Sequence, residues 1–117
     1  MKFKFKKLLI WQRAMDFGER IDALAGKFPK YEMFNLSLQI RKAGDSVALN
    51  ISEGAIGQSN AEQSRFMGYG IRSLAETVTC LYKAKRRNYI SDDEFASNYG
   101  EAYNLMNMMV AFKNNMK

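Results

Sequence analysis

Histidine is absent from this sequence of 117 residues. That removes the commonest general acid or base near neutral pH and the commonest metal ligand. Ser-His-Asp and Cys-His catalysis cannot be assembled within the chain, and zinc sites built on His or on several Cys are excluded. Cysteine occurs once, as Cys80, so no internal disulfide can form, which fits a reducing compartment. Proline also occurs once, as Pro29, leaving long stretches that can be helical without interruption. No apolar run approaches the roughly 18 residues needed to span a membrane. The opening MKFKFKKLLIWQRAM sets lysines before apolar residues, but Gln12 and Arg13 stop the run short of the about 7 apolar residues of a signal peptide. A cytoplasmic location without membrane contact is expected. No cofactor is expected, and carboxylate-only chemistry is the one catalytic class left open.

What is present points to helices. Apolar residues make up 47% and aromatics 13%, which argues against disorder, and the length favours one domain with one core over residues 1–117. Ile10, Ala14, Phe17, Ile21, Leu24 and Phe28 recur at alternating spacings of four and three, a helical stripe that Pro29 should end. A second stripe runs through Leu36, Ile40, Ala43, Val47, Ile51 and Gly54, with Asn35 able to cap its first amides. Ala43, Gly44, Ala48 and Gly54 are small and allow a neighbouring helix to come close. SNAE at Ser59–Glu62 and SDDE at Ser91–Glu94 have the spacing of capping boxes and open a third and a fourth helix. Phe66, Gly70, Leu74, Thr77, Leu81 and Ala84 mark the inner face of the third. Phe95, Ala102, Leu105, Met109, Phe112 and Met116 mark that of the fourth. Strand-like alternation of useful length is missing. The expected fold is all-α: an up-down-up-down antiparallel four-helix bundle with helices at about 8–28, 35–56, 60–87 and 92–115.

One stretch, SVALNISEGAIGQSNAEQSRF, puts polar groups beside the apolar stripe of the second helix. Ser46, Asn50, Glu53 and Gly57 are spaced four, three and four, so they share one side of that helix. Arg65, Arg72 and Glu76 sit near helical repeats on the third. If the chain reverses at residues 56–58, residues whose numbers sum to about 115 face each other. Asn50 then lies opposite Arg65, and a half-buried Glu53–Arg65 ion pair completed by Asn50 is expected, as a fastener of helix register rather than a reactive site. On that reading Glu53→Ala costs about 1–3 kcal/mol of stability.

Apolar residues also exceed what one stripe per helix can bury. Trp11, Met15, Met67, Ile71, Tyr82, Tyr99, Tyr103 and Met106 lie outside the four stripes and are candidates for a contact between subunits.

Several segments resemble a known family. FKKLLIWQRAMDF, LQIRKAGDSVALNISEGAIGQSNAEQSRFMGYGIRSLAE and LYKAKRRNYISDDEF are similar to the four-helix-bundle proteins encoded in intervening sequences of 23S ribosomal RNA. The likeness runs from about Phe5 to Phe112. Its most specific part is Asn50, Glu53 and Gly54, followed by Ser59, Glu62, Arg65, Phe66, Ser73, Leu74 and Glu76. Relatives often have proline where this chain has Ala48, and glycine then basic residues where it has Ala55, Ile56, Gly57 and Gln58. A basic turn at that position is therefore lacking here. The resemblance implies an up-down bundle and a homo-oligomer, with a pentameric ring among relatives. A related branch, the accessory proteins of diversity-generating retroelements, binds a reverse transcriptase and nucleic acid.

The net charge is +6, which permits a polyanionic partner. Two clusters carry much of it. Lys2, Lys4, Lys6 and Lys7 alternate with Phe3 and Phe5 ahead of the first helix, and Lys83, Lys85, Arg86 and Arg87 close the third. In an up-down bundle the second cluster shares its pole with Lys27 and Lys30, and the lysine tail shares the other with Lys113 and Lys117. Cations at a helix C-terminus also compensate the helix dipole, and Phe3 and Phe5 can either stack on bases or cover the bundle end. The expected function is non-enzymatic binding of RNA or DNA by an oligomer through these basic poles, with Lys2, Lys4, Lys6, Lys7, Lys83, Lys85, Arg86 and Arg87 as the candidate phosphate contacts. The alternative is a protein adaptor, for example for a reverse transcriptase.

Overall fold

The computed structural model describes residues 3–57 and 59–116. Helix α1 spans Leu9–Ala25, α2 Leu36–Ala55, α3 Asn60–Arg86 and α4 Asp92–Asn114; short 3-10 turns at Lys4–Lys7 and Lys30–Glu32 precede α1 and α2. Each helix packs against the next and α1 closes against α4, giving an antiparallel four-helix bundle of 43 × 25 × 20 Å. The stripes read from the sequence line its core: Ile10, Phe17, Ile21, Leu36, Ile40, Val47, Ile51, Leu74, Leu81 and Met109 are all buried. No helix among the described residues is long and apolar enough to cross a membrane.

The ends of the bundle differ in how their backbones are finished. At what we call the upper end lie the start of α1, the α2–α3 turn and the end of α4. At the lower end lie the other two connections. Helix α1 stops at Ala25, short of the expected residue 28, because the chain tightens ahead of Pro29: Lys27 N–H donates to Leu24 O and Phe28 N–H to Ala25 O. Ser91 and Glu94 form a complete capping box on α4, whereas on α3 only the Ser59 half forms, its hydroxyl accepting from Glu62 N–H. Helix α3 ends in a Schellman turn. Asn88 takes the left-handed conformation with φ 63°, Tyr89 N–H donates to Ala84 O, and Asn88 N–H donates to Lys85 O. Asparagine is one of the few residues that enters this region readily.

That turn sends Tyr89 back to a buried carboxylate, Glu32, which is only 4% exposed. Its Oε2 accepts from Tyr89 Oη at 2.6 Å and from Arg87 Nη1 at 2.9 Å, and its Oε1 accepts from Asn35 Nδ2 at 2.9 Å and Leu36 N–H at 3.3 Å. Glu32 therefore caps α2, the task expected of Asn35, whose side chain makes no cap of its own. A carboxylate does this better than an amide because it also neutralises the positive end of the helix dipole. The bond from Tyr89 is the main cause holding the Glu32 carboxyl below its ordinary range, and the same bond raises the Tyr89 phenol.

Close helix approaches set the rest. A Cβ added at Gly54 would lie 2.9 Å from Phe66 Cβ and 3.2 Å from Gln63 O, and one at Gly44 would lie 3.1 Å from Ile21 Cγ2. At Gly100 in α4 an added Cβ would meet nothing within 4 Å.

Gly54→Ala should destabilise the bundle by about 1–3 kcal/mol through overpacking against backbone, whereas Gly100→Ala should stabilise it by about 0.5–1 kcal/mol by removing glycine's entropy cost; urea unfolding of both variants measures this. Glu32→Gln should lower the melting temperature at pH 7. Because the folded-state carboxyl is depressed, its contribution is complete above the unfolded value of about 4.3 and is lost as pH falls through the folded value. The wild-type advantage should therefore shrink in melts run below about pH 4.

Candidate nucleic-acid interface

Cutting each helix at its midpoint exposes an unequal division of charge. The lower half, residues 19–45 and 73–102, contains nine cations and nine carboxylates. The described upper half, residues 3–18, 46–72 and 103–116, contains seven cations (Lys4, Lys6, Lys7, Arg13, Arg65, Arg72 and Lys113) against Asp16, Glu53 and Glu62. Every ion pair among the described residues lies in the lower half: Arg20–Glu101, Lys27–Glu94, Arg41–Asp22, Lys85–Asp92 and Arg87–Glu32.

The two basic clusters separate on this basis. Lys83, Lys85, Arg86 and Arg87 do share the lower end with Lys27 and Lys30. They share it also with Glu32 and with the acidic first turn of α4, Asp92, Asp93 and Glu94. Arg87 is committed to Glu32, which removes it from the candidate phosphate contacts. Lys85 lies 3.9 Å from Asp92 and 4.6 Å from the Phe95 ring centroid. Lys27 donates to Glu94 at 2.8 Å, the leading cause holding that carboxyl below its usual range. Lys83 and Arg86 remain exposed on the outside of α3. The capping acids that start α4 thus offset the cations that end α3, because the up-down topology brings them to one place.

At the upper end Lys4, Lys6 and Lys7 are ordered on a 3-10 turn rather than trailing into solvent, and all three are exposed. Phe5 anchors the turn on Trp11 with ring centroids 5.1 Å apart, and Gln12 Nε2 donates to Lys6 O at 2.8 Å. Phe5 therefore covers the bundle end, while Phe3 stays 52% exposed against it. Lys2 and Lys117 lie outside the described residues.

The candidate subunit-contact residues fall on two sides. Along α3 and α4, Tyr82, Tyr99 and Tyr103 continue a ladder of rings begun at Phe95. Tyr99, Tyr103 and Met106 line a groove of about 230 Å³ floored by Ala75, Val78 and Ala102, with Ile71 half-buried nearby on α3. Along α1 and α2, the opposite side, Trp11 and Met15 line a depression of about 450 Å³ with Phe5 and Leu49. Met67 belongs to neither: at 1% exposure it is core and cannot reach a partner, since α3 turns it between the helices beside Gly70 and Leu74.

The expected Glu53–Arg65 pair does not form. Ser46 and Ser73 hydroxyls lie 2.9 Å apart, and an added Cβ at Gly70 would be 3.6 Å from Asn50 Cβ. Facing pairs thus sum to about 120, not 115, so Asn50 meets Gly70 instead of Arg65. Side chains lean toward their own helix N-terminus, which moves facing pairs along two antiparallel helices away from the midpoint of the turn. Asn50 Nδ2 donates to Ser46 O at 2.8 Å and to Ser46 Oγ at 2.9 Å, closing a small network with Ser73. Glu53 and Arg65 are both exposed and not paired among the described residues. Arg65 instead lies 5.5 Å from the Phe66 ring centroid. Glu53→Ala should consequently change stability by less than about 0.5 kcal/mol, and Asn50→Ala should cost about 1 kcal/mol; guanidinium unfolding distinguishes the two. Cys80 is buried, which pushes its thiol up and leaves it protonated and inert.

Nothing matches among curated proteins. Among solved structures, a protein of unknown function from the S23 ribosomal protein family of Bacteroides thetaiotaomicron has the same fold, with a TM-score of 0.84 at 22% identity over 90% of this chain and 98% of that one. A family model described as 23S rRNA-intervening sequence protein matches residues 6–111, which contain all four helices except the last three residues of α4. The chain belongs to the 23S rRNA-intervening sequence protein family.

Proposed function

We propose that this protein is a non-enzymatic, oligomeric nucleic-acid-binding bundle that uses its upper end to hold RNA or DNA. The observation that carries the reading is the segregation of charge: among described residues the lower half balances, and the excess of cations is gathered at one end with exposed Lys4, Lys6 and Lys7. Gathered, unpaired cations release counterions when they meet phosphates, whereas cations held by local carboxylates release fewer. Three features support the non-enzymatic part: the chain has no histidine, its one thiol is buried, and its buried carboxylate Glu32 is already satisfied by four donors.

The oligomer reading rests on the two apolar faces. They are different surfaces on opposite sides of the bundle, so one face of a subunit can seat against the other face of the next. Such head-to-tail contacts generate rings when the rotation closes, and a pentamer is what the family resemblance implies. Light scattering at micromolar concentration should give a multiple of 13.4 kDa, and Tyr103→Asp should reduce it toward the monomer.

Nucleic-acid binding should be measurable as a mobility shift at about 50 mM salt that weakens steeply by about 200 mM. Phosphate contacts give affinity without reading sequence, so little preference among sequences is expected. Substituting Lys4, Lys6 and Lys7 together by Gln should flatten the salt dependence. Substituting Lys83, Lys85 and Arg86 should flatten it less, because the lower end is locally neutralised. An assembled oligomer that shows no shift at the lower salt would overturn the nucleic-acid reading in favour of a protein adaptor.

A further inference from the structure

Resting on that reading, we propose that a basic stripe on the outside of α3, made by Arg65, Tyr69 and Arg72 with Lys113 of α4, is a site for single-stranded nucleic acid, with Tyr69 as the platform on which a base stacks.

The stripe follows from helical geometry. Arg65, Tyr69 and Arg72 are spaced by four and three residues, so they project from one face of α3. All three are exposed, Tyr69 at 41%. The two guanidinium-bearing residues are separated by about 10.5 Å along the axis at 1.5 Å rise per residue, with the ring between them. Gly68 lies on the same face. With no side chain there, the Lys113 aliphatic chain comes across from α4, its Cε 3.5 Å from where a Gly68 Cβ would be. Two arginines of α3 and a lysine of α4 thus lie on the same side of the bundle as one exposed tyrosine.

The arrangement is held from beneath. Tyr69 packs edge-on against Phe66 with centroids 5.4 Å apart, and Arg65 reaches over that same Phe66 ring at 5.5 Å. Glu76 is one turn beyond Arg72, yet no ion pair holds Arg65, Arg72 or Lys113 among the described residues. In the lower half Arg20, Arg41 and Arg87 each have a carboxylate within 4.0 Å, whereas Arg86 is exposed without one among the described residues.

Cations flanking an aromatic face match a single strand better than a duplex. A duplex presents phosphates outward and keeps its base faces stacked inside. A single strand can lay a base flat on a tyrosine while its phosphates meet flanking cations, a contact available to any base because every base has a π face. The site would add to Lys4, Lys6 and Lys7 on the same half of the bundle.

Binding of a fluorescent single-stranded RNA, its DNA counterpart and the matching DNA duplex tests this across a salt series, with wild type, Tyr69→Ala, Tyr69→Phe, R65Q/R72Q and K4Q/K6Q/K7Q. The substituted residues are exposed, and thermal melts check that each variant is folded. Tyr69→Ala should weaken both single strands by about tenfold and leave the duplex within about twofold, while Tyr69→Phe keeps the ring and should retain affinity. R65Q/R72Q should reduce the single-strand salt slope by about 1.4, the value for two phosphate contacts. Tighter binding of RNA than DNA would identify RNA as the source of the strand; equal binding would identify phosphate and base stacking as sufficient. If wild type binds and K4Q/K6Q/K7Q alone changes the slope, the stripe is refuted while the nucleic-acid reading stands. Equal loss of single strand and duplex in Tyr69→Ala also refutes it. Absence of wild-type binding at 50 mM salt overturns both.

Discussion

The close approach of α2 and α3 governs much of this molecule. Gly54 brings the α2 backbone against Phe66 and Gln63, and Gly70 admits Val47 and Met109 from two neighbours. With side chains at those positions the helices would stand farther apart, and the pairing of residues along them would change. The contact sets which polar groups meet: Ser46 finds Ser73, Asn50 lies over Gly70, and Glu53 and Arg65 are left in solvent. Register here follows glycine placement, and the Ser73–Ser46 hydrogen bond between the helices reinforces it, while the bonds of Asn50 stay within α2 and orient Ser46.

A second constraint comes from topology. Helix N-termini favour acidic residues and helix C-termini favour basic ones. At the lower end α2 and α4 begin while α1 and α3 finish, so Glu32, Asp92, Asp93 and Glu94 meet Lys27, Lys85 and Arg87. The same rule predicts mixed charge at the upper end, where α1 and α3 begin. Helix α1 departs from it by starting on Leu8 with no acid in its first turn and with lysines ahead of it. That departure leaves an uncompensated basic surface on the upper half.

The Glu32 site illustrates what a chain reading misses. Its donors come from Asn35 and Leu36, close in sequence, and from Arg87 and Tyr89, which are 55 and 57 positions away. No periodicity connects those pairs. In the sequence these residues stand only as a basic run and a tyrosine near a turn, which groups Arg87 with the candidate phosphate-binding cations. Asn88, next to them, was a clue of a kind, since asparagine after a helix often marks a left-handed turn. Where that turn would aim Tyr89 depends on the packing of α2 against α3.

The helix stripes, the two serine caps, the all-α class and the family likeness were legible in the sequence, because each depends on spacing within about a dozen residues. Met67 shows where that reach ends: its offset from the assumed stripe of α3 suggested an outer face, but the inner face of a long helix is wider than one row and takes Met67 into the core. Which charges stay unpaired was likewise decided in three dimensions. Nothing in the sequence marks which of Arg65 and Arg87 has a carboxylate partner. Only the tertiary structure separates them, by placing a buried carboxylate within 2.9 Å of one and leaving the other facing water.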